Sequence, residues 1–295
     1  MAMKTSSVKE AEITIRDIGF GDSIYVKVKR ESNVAVTYLI DTGYLIDSAV
    51  YSKKLSEDGI KNINTLILTH KHSDHISATS FIVDEYESFE LKNIFLSFKD
   101  RFFASKKNAR VSNKLKNIYE KGQSINIFDI NDLDAVENIL DFYVLYPGED
   151  DEPHASNINR NSIALLLCVG SYGVLFMGDA TVKEEPIILK QLEKYNIQEV
   201  HILKVGHHGS STSTGDELLN KLSHLQYAIV SSSSENKYKL PSKKFEERWK
   251  TFKNNQSCDL FYTEDNLTGI KQNIVFKISK DTGCELLCDC QKKCF

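Results

Sequence analysis

Residues 69–75 read Thr69-His70-Lys71-His72-Ser73-Asp74-His75 and follow directly on the apolar run Leu66-Ile67-Leu68. In an extended segment His70 and His72 point to the same side, so they can hold one metal ion together. Ser73 can cap a helix that begins here, and Asp74 and His75 in its first turn can face a second metal ion. Imidazole and carboxylate ligands suit Zn²⁺, with Mn²⁺ or iron as alternatives. Three of the eight histidines fall in this segment, which favours a metal site over a polar loop.

Apolar patterning on both sides of this segment predicts a layered α/β domain. The early runs Ile13–Ile18, Ile24–Val28 and Val34–Ile40 alternate, as half-buried antiparallel strands do. Leu66–Leu68 and Ile163–Leu167 are continuously apolar, which is typical of strands buried on both faces. Helical patterns lie between the strands, at Asp74–Glu87, Lys183–Tyr195, Glu217–Leu225 and Lys243–Phe252. Because no linker-like segment interrupts this order, we expect one domain of two sheets with outer helices.

Composition excludes several classes of protein. Of the 295 residues 41% are hydrophobic and 26% are charged, which is ordinary for a globular protein and unlike collagen, coiled coils or disordered chains. The net charge of −4 argues against binding to nucleic acid through bulk positive charge. No run approaches the ~20 apolar residues that span a bilayer, and the N-terminus lacks the hydrophobic segment of a signal peptide. We therefore expect a cytoplasmic protein without a membrane part.

Residues 99–121 are strongly basic. The only acids are Asp100 and Glu120, against eight basic residues: Lys99, Arg101, Lys106, Lys107, Arg110, Lys114, Lys116 and Lys121. The pattern predicts a helical insertion. This insertion is either a solvated helical face or a patch that follows a phosphate backbone.

The cysteines fall into two groups. Cys168 and Cys258 are isolated, which suits a reducing compartment. The other four, Cys284, Cys288, Cys290 and Cys294, crowd the C-terminal end. Four thiols at this density can bind a structural zinc ion, although they lack the usual C-x-x-C pairs. The alternative is a tail of reduced thiols.

Further segments, in order along the chain, resemble a known family. Asp17–Ser23 reads D-I-G-F-G-D-S and is similar to D-V-G-Q-G-D-S, with Phe20 where glutamine is usual. The other similar segments are Leu39–Gly43 (L-I-D-T-G), Asn161-Ser162 before an apolar run, Gly178-Asp179, Leu203–Ser210 (L-K-V-G-H-H-G-S) and Thr263–Ile270. Together with the histidine segment they extend over residues 13–278 and resemble the ComEC/Rec2-type branch of the metallo-β-lactamase superfamily. We expect one such domain over residues 1–280 and a cysteine-rich tail over residues 281–295.

The resemblance implies the αββα four-layer sandwich of the metallo-β-lactamases, with a site for two metal ions at one edge. It assigns His70 and His72 to the first ion, Asp74 and His75 to the second, and Asp179 to a bridge between them. Two Zn²⁺ ions per chain are expected, with Mn²⁺ as the alternative. A water shared by two cations loses its proton near neutral pH, and the hydroxide attacks phosphorus or a carbonyl carbon.

Two adjacent histidines, His207 and His208, compete for the last ligand position. The resemblance favours His207, because it follows the strand-ending Gly206. His208 would then face the substrate and protonate the leaving oxygen.

Asp41 lies within an apolar segment, where an unpaired carboxylate is costly. We expect Asp41 to support catalysis by accepting hydrogen bonds from the ligand segment, and the alternative is an aspartate that only forms a turn.

The sequence departs from the family pattern at two places. Asn161 stands where many superfamily members have a third histidine on the first metal, and His154 is an alternative ligand seven residues upstream. Leu240 replaces the histidine of the N-x-Y-G-H-P segment, so that Lys239 or Lys237 would bind phosphate instead. The predicted substrate contacts are Asn161, Ser210 and Lys239.

The leading functional hypothesis is a metal-dependent phosphodiesterase, in particular a nuclease acting on DNA or RNA. A hydrolase of a small phosphodiester such as a cyclic nucleotide, or of an ester or lactone, is the second hypothesis. A catalytically silent binding or regulatory subunit, with a protein partner, is the third. Family members that act in DNA uptake fuse this domain to a membrane channel, so we expect a free-standing relative, for which antiviral defence is an analogy only. The oligomeric state stays open.

Overall fold

In the computed structural model, two β-sheets pack face to face and helices cover the outer side of each sheet. The structure describes residues 7–44, 47–122, 124–148, 150–233, 236–264 and 269–287. This arrangement is the predicted αββα sandwich, and the prediction of the fold class is confirmed. None of the helices in these ranges is long and apolar enough to cross a membrane.

The strands of the described ranges are β1 (Val8–Ile15), β2 (Ile24–Arg30), β3 (Ala35–Ile40), β4 (Thr65–Leu68), β5 (Asn93–Leu96), β6 (Asn126–Asp129), β7 (Phe142–Tyr146), β8 (Ala164–Val169), β9 (Tyr172–Phe176), β10 (Ile202–Lys204), β11 (Tyr227–Val230), β12 (Asp259–Tyr262), β13 (Ile274–Ser279) and β14 (Gly283–Leu286). The helices are α1 (Ser48–Glu57), α2 (Ser73–Ile76), α3 (Thr79–Asp84), α4 (Lys99–Ala104), α5 (Ala109–Lys121), α6 (Leu133–Ile139), α7 (Glu185–Lys194), α8 (Asp216–Lys221) and α9 (Lys243–Asn255).

The strand order brings the carboxyl ends of several strands to one edge. The larger sheet has the order β14-β13-β1-β2-β3-β4-β5-β6, and its strands from β3 to β6 run parallel. The smaller sheet has the order β12-β11-β10-β9-β8-β7, and its strands from β9 to β12 run parallel. Residues that follow parallel strands meet at the same sheet edge, where α/β proteins place their sites.

The core has three apolar layers. Ile67 of β4 packs between the sheets with Phe176 of the opposite sheet, while Leu66 and Leu68 pack under the outer helices. Strand β4 is therefore buried on both faces, as its continuous apolar run predicts. Helices α7, α8 and α9 cover the smaller sheet, and Trp249 of α9 is fully buried in this layer.

Three segments differ from the sequence expectations. The helix expected over residues 74–87 is two short helices, α2 and α3. The basic segment forms α4 and α5, which connect the parallel strands β5 and β6, because a parallel pair needs a crossover connection. Residues 283–286, expected in the tail, form β14 and pair with β13. Cys284 therefore lies in the sheet, whereas Cys288, Cys290 and Cys294 lie outside the described residues.

Candidate metal centre

Three loops bring the candidate ligands to one edge of the sandwich. The segment 69–75 follows β4, Asp179 follows β9, and His207 and His208 follow β10. The two sheets are joined at this edge by the hydrogen bond that Ile163 N–H donates to the Thr69 carbonyl, at 3.0 Å. The site is therefore built from both sheets.

Left-handed backbone conformations occur at this edge. The φ angle is +58° at Asp41, +46° at His207 and +52° at His208. Residues other than glycine keep such angles only where their surroundings fix them, and they concentrate at functional sites. The consecutive pair also separates its two side chains: His208 is 1% exposed, whereas the side chain of His207 is 23% exposed.

The carboxylate of Asp179 lies between two groups of histidines. Its Oδ2 is 3.3 Å from His70 Nε2 and 3.7 Å from His207 Nε2. Its Oδ1 is 3.3 Å from His75 Nε2 and 3.7 Å from His208 Nε2. Burial alone would raise the pKa of this carboxyl, but the surrounding imidazoles, first that of His75, hold its pKa well below the usual range. Asp179 is therefore a buried anion with each oxygen directed at different ring nitrogens.

The other predicted ligands, His72 and Asp74, lie next to these histidines. His72 Nδ1 lies 3.0 Å from His70 Nε2 on the first side. On the second side, Asp74 Oδ2 is 3.5 Å from His208 Nε2 and 3.9 Å from His75 Nε2. Among the described residues, three sets of potential ligand atoms lie within 4.8 Å of one another: those of His70, His75 and Asp179, those of Asp74, His75 and His208, and those of Asp22, Asp41 and His75.

The placement of the adjacent histidines differs from the sequence expectation. His208 was expected to face the substrate, but its Nε2 is buried 3.2 Å from His75 Nε2. His207, expected as the ligand, lies beside Asn159 Nδ2 at 3.1 Å, and both histidines line the open cleft. Both residues also lie in a left-handed turn, which sequence spacing does not reveal. The burial of His208 beside His75 favours His208 over His207 as the ligand.

This donor set fits divalent metal ions. Imidazole nitrogens and carboxylate oxygens are the ligands of zinc and manganese sites in proteins. Asp179 Oδ1 is buried and has no hydrogen-bond partner among the described residues. A buried carboxylate oxygen without a partner costs free energy, which a bound cation would recover. The arrangement therefore has the chemistry of a metal centre.

Asp41 supports the ligand segment from behind. Its Oδ1 accepts a hydrogen bond from Thr69 N–H at 2.8 Å, and its Oδ2 accepts one from the Thr69 hydroxyl at 2.6 Å. Oδ2 is also 2.6 Å from His75 Nδ1. A carboxylate on Nδ1 leaves Nε2 of the same ring free to bind a metal and fixes the ring orientation. Asp41 is fully buried, and its side chain does more than form a turn.

Replacing Asp41 by asparagine is expected to weaken metal binding about 10-fold to 100-fold, because the amide cannot reproduce the contacts to both Thr69 and His75. The affinity for Zn²⁺ is measured by competition with a chelating dye. The exposed Asp281→Asn is the matched control and should retain the wild-type affinity. An unchanged affinity in Asp41→Asn, with the fold intact by circular dichroism, would contradict this role.

A second buried carboxylate lies behind His208, and the sequence analysis did not assign it a role. Asp22 Oδ1 is 3.5 Å from His208 Nδ1, and Lys204 Nζ lies 2.9 Å from both Asp22 oxygens. Burial alone would raise the pKa of Asp22, but the Lys204 ammonium together with the imidazoles of His208 and His75 holds the pKa below the usual value. The signal in the sequence is a lysine inside the apolar run Ile202–Val205, since such a charge needs a buried partner.

An open cleft lies above the ligands. Asp74, Asp179 and His207 line it, together with Ser210, as expected for a substrate contact. Lys107, which belongs to the basic segment of residues 99–121, also lines this cleft. One basic side chain of that segment therefore lies near the candidate metal ligands.

Two predicted substrate contacts lie elsewhere. Asn161 uses both ends of its side-chain amide on the backbone of His154: Nδ2 donates to the carbonyl at 3.0 Å and Oδ1 accepts from the N–H at 2.7 Å. The Asn161 side chain thus stabilises the loop at His154 rather than contacting a substrate. Lys239 is exposed in the turn after Tyr238 and is not among the described residues that line the cleft. His154 Nε2 is 4.0 Å from Glu184 Oε1, and its side chain is 32% exposed.

A family model described as the metallo-beta-lactamase superfamily matches residues 18–87. The chain is 28% identical to ComE operon protein 3 of Bacillus subtilis over 80% of this chain and 30% of the relative. It is 31% identical to Recombination protein 2 of Haemophilus influenzae over 68% of this chain and 21% of the relative. The chain therefore spans less than a third of the length of these two curated relatives.

The fold is also found among solved structures. The metallo-beta-lactamase fold protein YhfI from Bacillus subtilis superimposes with a TM-score of 0.51, at 12% identity, over 90% of this chain and 98% of that chain. The two stacked sheets, the family-model match and the curated relatives lead to one conclusion: the chain has the metallo-β-lactamase fold and is similar to the ComEC/Rec2 branch of that superfamily.

Proposed function

We propose that this chain is a metal-dependent phosphodiesterase that cleaves DNA or RNA. The observation that carries the proposal is the position of Asp179, a buried carboxylate whose two oxygens face different histidines at the floor of an open cleft. One carboxylate shared by two ligand groups is the arrangement of two-metal hydrolytic sites.

Each ligand has a defined part in this proposal. His70 and His72 would hold one divalent cation, Asp74, His75 and His208 would hold the second, and Asp179 would contact both. Bound divalent cations lower the pKa of water and neutralise the charge that develops on a phosphoryl group. Asp41 and Asp22 orient the rings of His75 and His208 from behind. His207 faces the cleft, where a ring nitrogen can donate a hydrogen bond to the leaving oxygen.

The charge around the cleft supports a phosphodiester as the substrate. Several basic side chains of residues 99–121 are engaged with the protein: Lys99 Nζ donates to the Tyr119 hydroxyl, Lys114 to Asp84, and Arg101 to a backbone carbonyl. Lys107 instead lies over the cleft beside Asp74. Its ammonium can contact a phosphate next to the one that is cleaved. The name Recombination protein 2 of one relative is the reason to test nucleic acid first.

The test is hydrolysis by the purified chain with Zn²⁺ or Mn²⁺ on single-stranded DNA, double-stranded DNA, RNA and a small aryl phosphodiester. We expect cleavage of a polymer by the wild-type chain and none by Asp74→Ala/His75→Ala. Cleavage of the small diester alone would overturn the assignment to nucleic acid and favour a small-molecule hydrolase. Bound metal with no cleavage of any phosphodiester would overturn the proposal and favour an ester substrate or a binding role.

A further inference from the structure

We propose that Phe20 and Tyr238 form a stacking subsite for a nucleobase of the substrate, next to the metal centre. This inference rests on the proposed function, and it adds how the cleft holds the nucleotide beside the scissile phosphate. Both rings line the same cleft as Asp74, Asp179 and His207.

Phe20 is held close to the candidate ligands by Gly21, the residue that follows it. A Cβ atom on Gly21 would lie 1.8 Å from the Asp74 carbonyl oxygen, and φ is +116° at this residue. Asp22 N–H also donates to the Asp74 carbonyl, at 3.2 Å. The loop between β1 and β2 therefore packs directly on the backbone of a candidate ligand, which only glycine permits. The Phe20 ring lies 5.2 Å from the His208 ring as a consequence.

Tyr238 lies in a turn that hydrogen bonds of the Asn236 side chain stabilise. The side chain of Asn236 donates to the carbonyls of Ser233 and Leu240, at 2.5 and 2.7 Å. Its Oδ1 accepts from Leu240 N–H at 2.8 Å. Tyr238 stands between these bonded residues and is 60% exposed. An aromatic side chain that is both exposed and held in place loses little freedom when a ligand binds.

The two rings form one aromatic surface. Their centroids are 5.9 Å apart and their planes are inclined by 34°, which is within the range of contacting aromatic pairs. Lys237 Nζ lies 5.0 Å from the Tyr238 ring centre, so a positive charge accompanies the surface, and Lys107 adds another in the cleft. Aromatic rings flanked by cations are the usual means of binding single-stranded nucleic acid without sequence preference.

The distances point to a base adjacent to the reacting phosphate. Phe20 contacts His208, and His208 contacts both Asp74 and Asp179. A nucleobase on the aromatic surface is therefore separated from the candidate metal-binding residues by a single side chain. An acyl chain would also contact these rings, but it would gain nothing from the lysine charges.

The test compares two single-stranded oligomers of equal length, one with bases and one with abasic residues throughout. In Phe20→Leu/Tyr238→Leu we expect kcat/KM on the oligomer with bases to fall about 5-fold to 150-fold, the loss of stacking on one base. Cleavage of the abasic oligomer should change less than about twofold. Phe20→Tyr and Tyr238→Phe keep the rings and should retain activity on both. Binding of a 2-aminopurine oligomer should quench its fluorescence in the wild type and much less in the double variant.

Tyr119→Leu is the matched control, because Tyr119 is an exposed tyrosine on α5 outside the cleft lining among the described residues. It should change neither cleavage nor quenching. Equal loss on both oligomers, or no loss on either, would overturn the stacking subsite while the proposed function stands. If the wild type cleaves neither oligomer, the subsite is overturned, and if it cleaves no double-stranded DNA or RNA either, the proposed function fails as well.

Discussion

Replacing Asp179 by asparagine is expected to lower phosphodiester hydrolysis at least about 1,000-fold and to reduce the number of bound metal ions. The reason is that its two oxygens lie 3.3 Å from nitrogens of His70 and His75, in the two separate groups. The asparagine side chain is neutral and offers one carbonyl oxygen, so both sides lose the negative charge of Asp179 and at least one side loses an oxygen ligand. Charge stabilisation by a metal ion amounts to several kcal/mol, and each 1.4 kcal/mol corresponds to about tenfold in rate. The measurements are initial rates and metal content by mass spectrometry.

The control for this change is Asp216→Asn. Asp216 is also an aspartate, but its side chain is 77% exposed, and it pairs with Arg248 at 3.5 Å on the surface of α8. We expect this variant to keep full activity and full metal content. If Asp179→Asn retains both at wild-type levels, then Asp179 is not a metal ligand and the proposed assignment of the centre is wrong.

Replacing Lys204 by methionine is expected to destabilise the fold by about 3–5 kcal/mol. The change leaves the Asp22 carboxylate buried without its ammonium partner, since the side chains of both residues are at most 2% exposed. An unpaired charge in such surroundings is costlier than the loss of the pair itself. The free energy of unfolding is obtained from denaturant titration followed by circular dichroism.

Two further variants separate this effect from simple loss of packing. In Lys204→Met/Asp22→Leu both charges are absent, so most of the lost stability should return. In Lys221→Met the pair removed is exposed, 3.9 Å from Glu193, and the free energy should change by at most about 1 kcal/mol. If the double variant is less stable than Lys204→Met, the Asp22–Lys204 pair is not the cause of the effect.

The sequence predicts the layers of this fold better than the boundaries of its elements. Strands β2 (Ile24–Arg30) and β3 (Ala35–Ile40) lie where the alternating runs Ile24–Val28 and Val34–Ile40 predict them, but their boundaries differ by one or two residues. The short strand β6, Asn126–Asp129, has little signal in the sequence, since only Ile127 and Phe128 are apolar and pairing with β5 decides its conformation. The break between α2 and α3 has no signal either, because Ile76 and Val83 lie seven residues apart on its two sides, which is a helical spacing.

The ligand candidates are more readable from sequence than the residues that orient them. The segment 69–75 is readable from its own residues, because histidine and aspartate have few other uses at this density after a strand, whereas Asp179 is assigned only through the family resemblance. The pairing of Asp22 with Lys204 joins residues 182 positions apart, and only the folded chain brings them together. The choice between His207 and His208 depends on how a left-handed turn places the two rings, which the spacing of the residues does not show.

Metal titration of hydrolysis tests the central claim most directly. The metal-free chain would be loaded stepwise with Zn²⁺ or Mn²⁺, and in each sample the ions per chain and the cleavage rate of a single-stranded oligonucleotide would be measured. We expect the rate to rise with loading and to level off at two ions per chain. Two bound ions without cleavage of any phosphodiester, or full cleavage in excess chelator, would contradict the account of this centre as a two-metal phosphodiesterase.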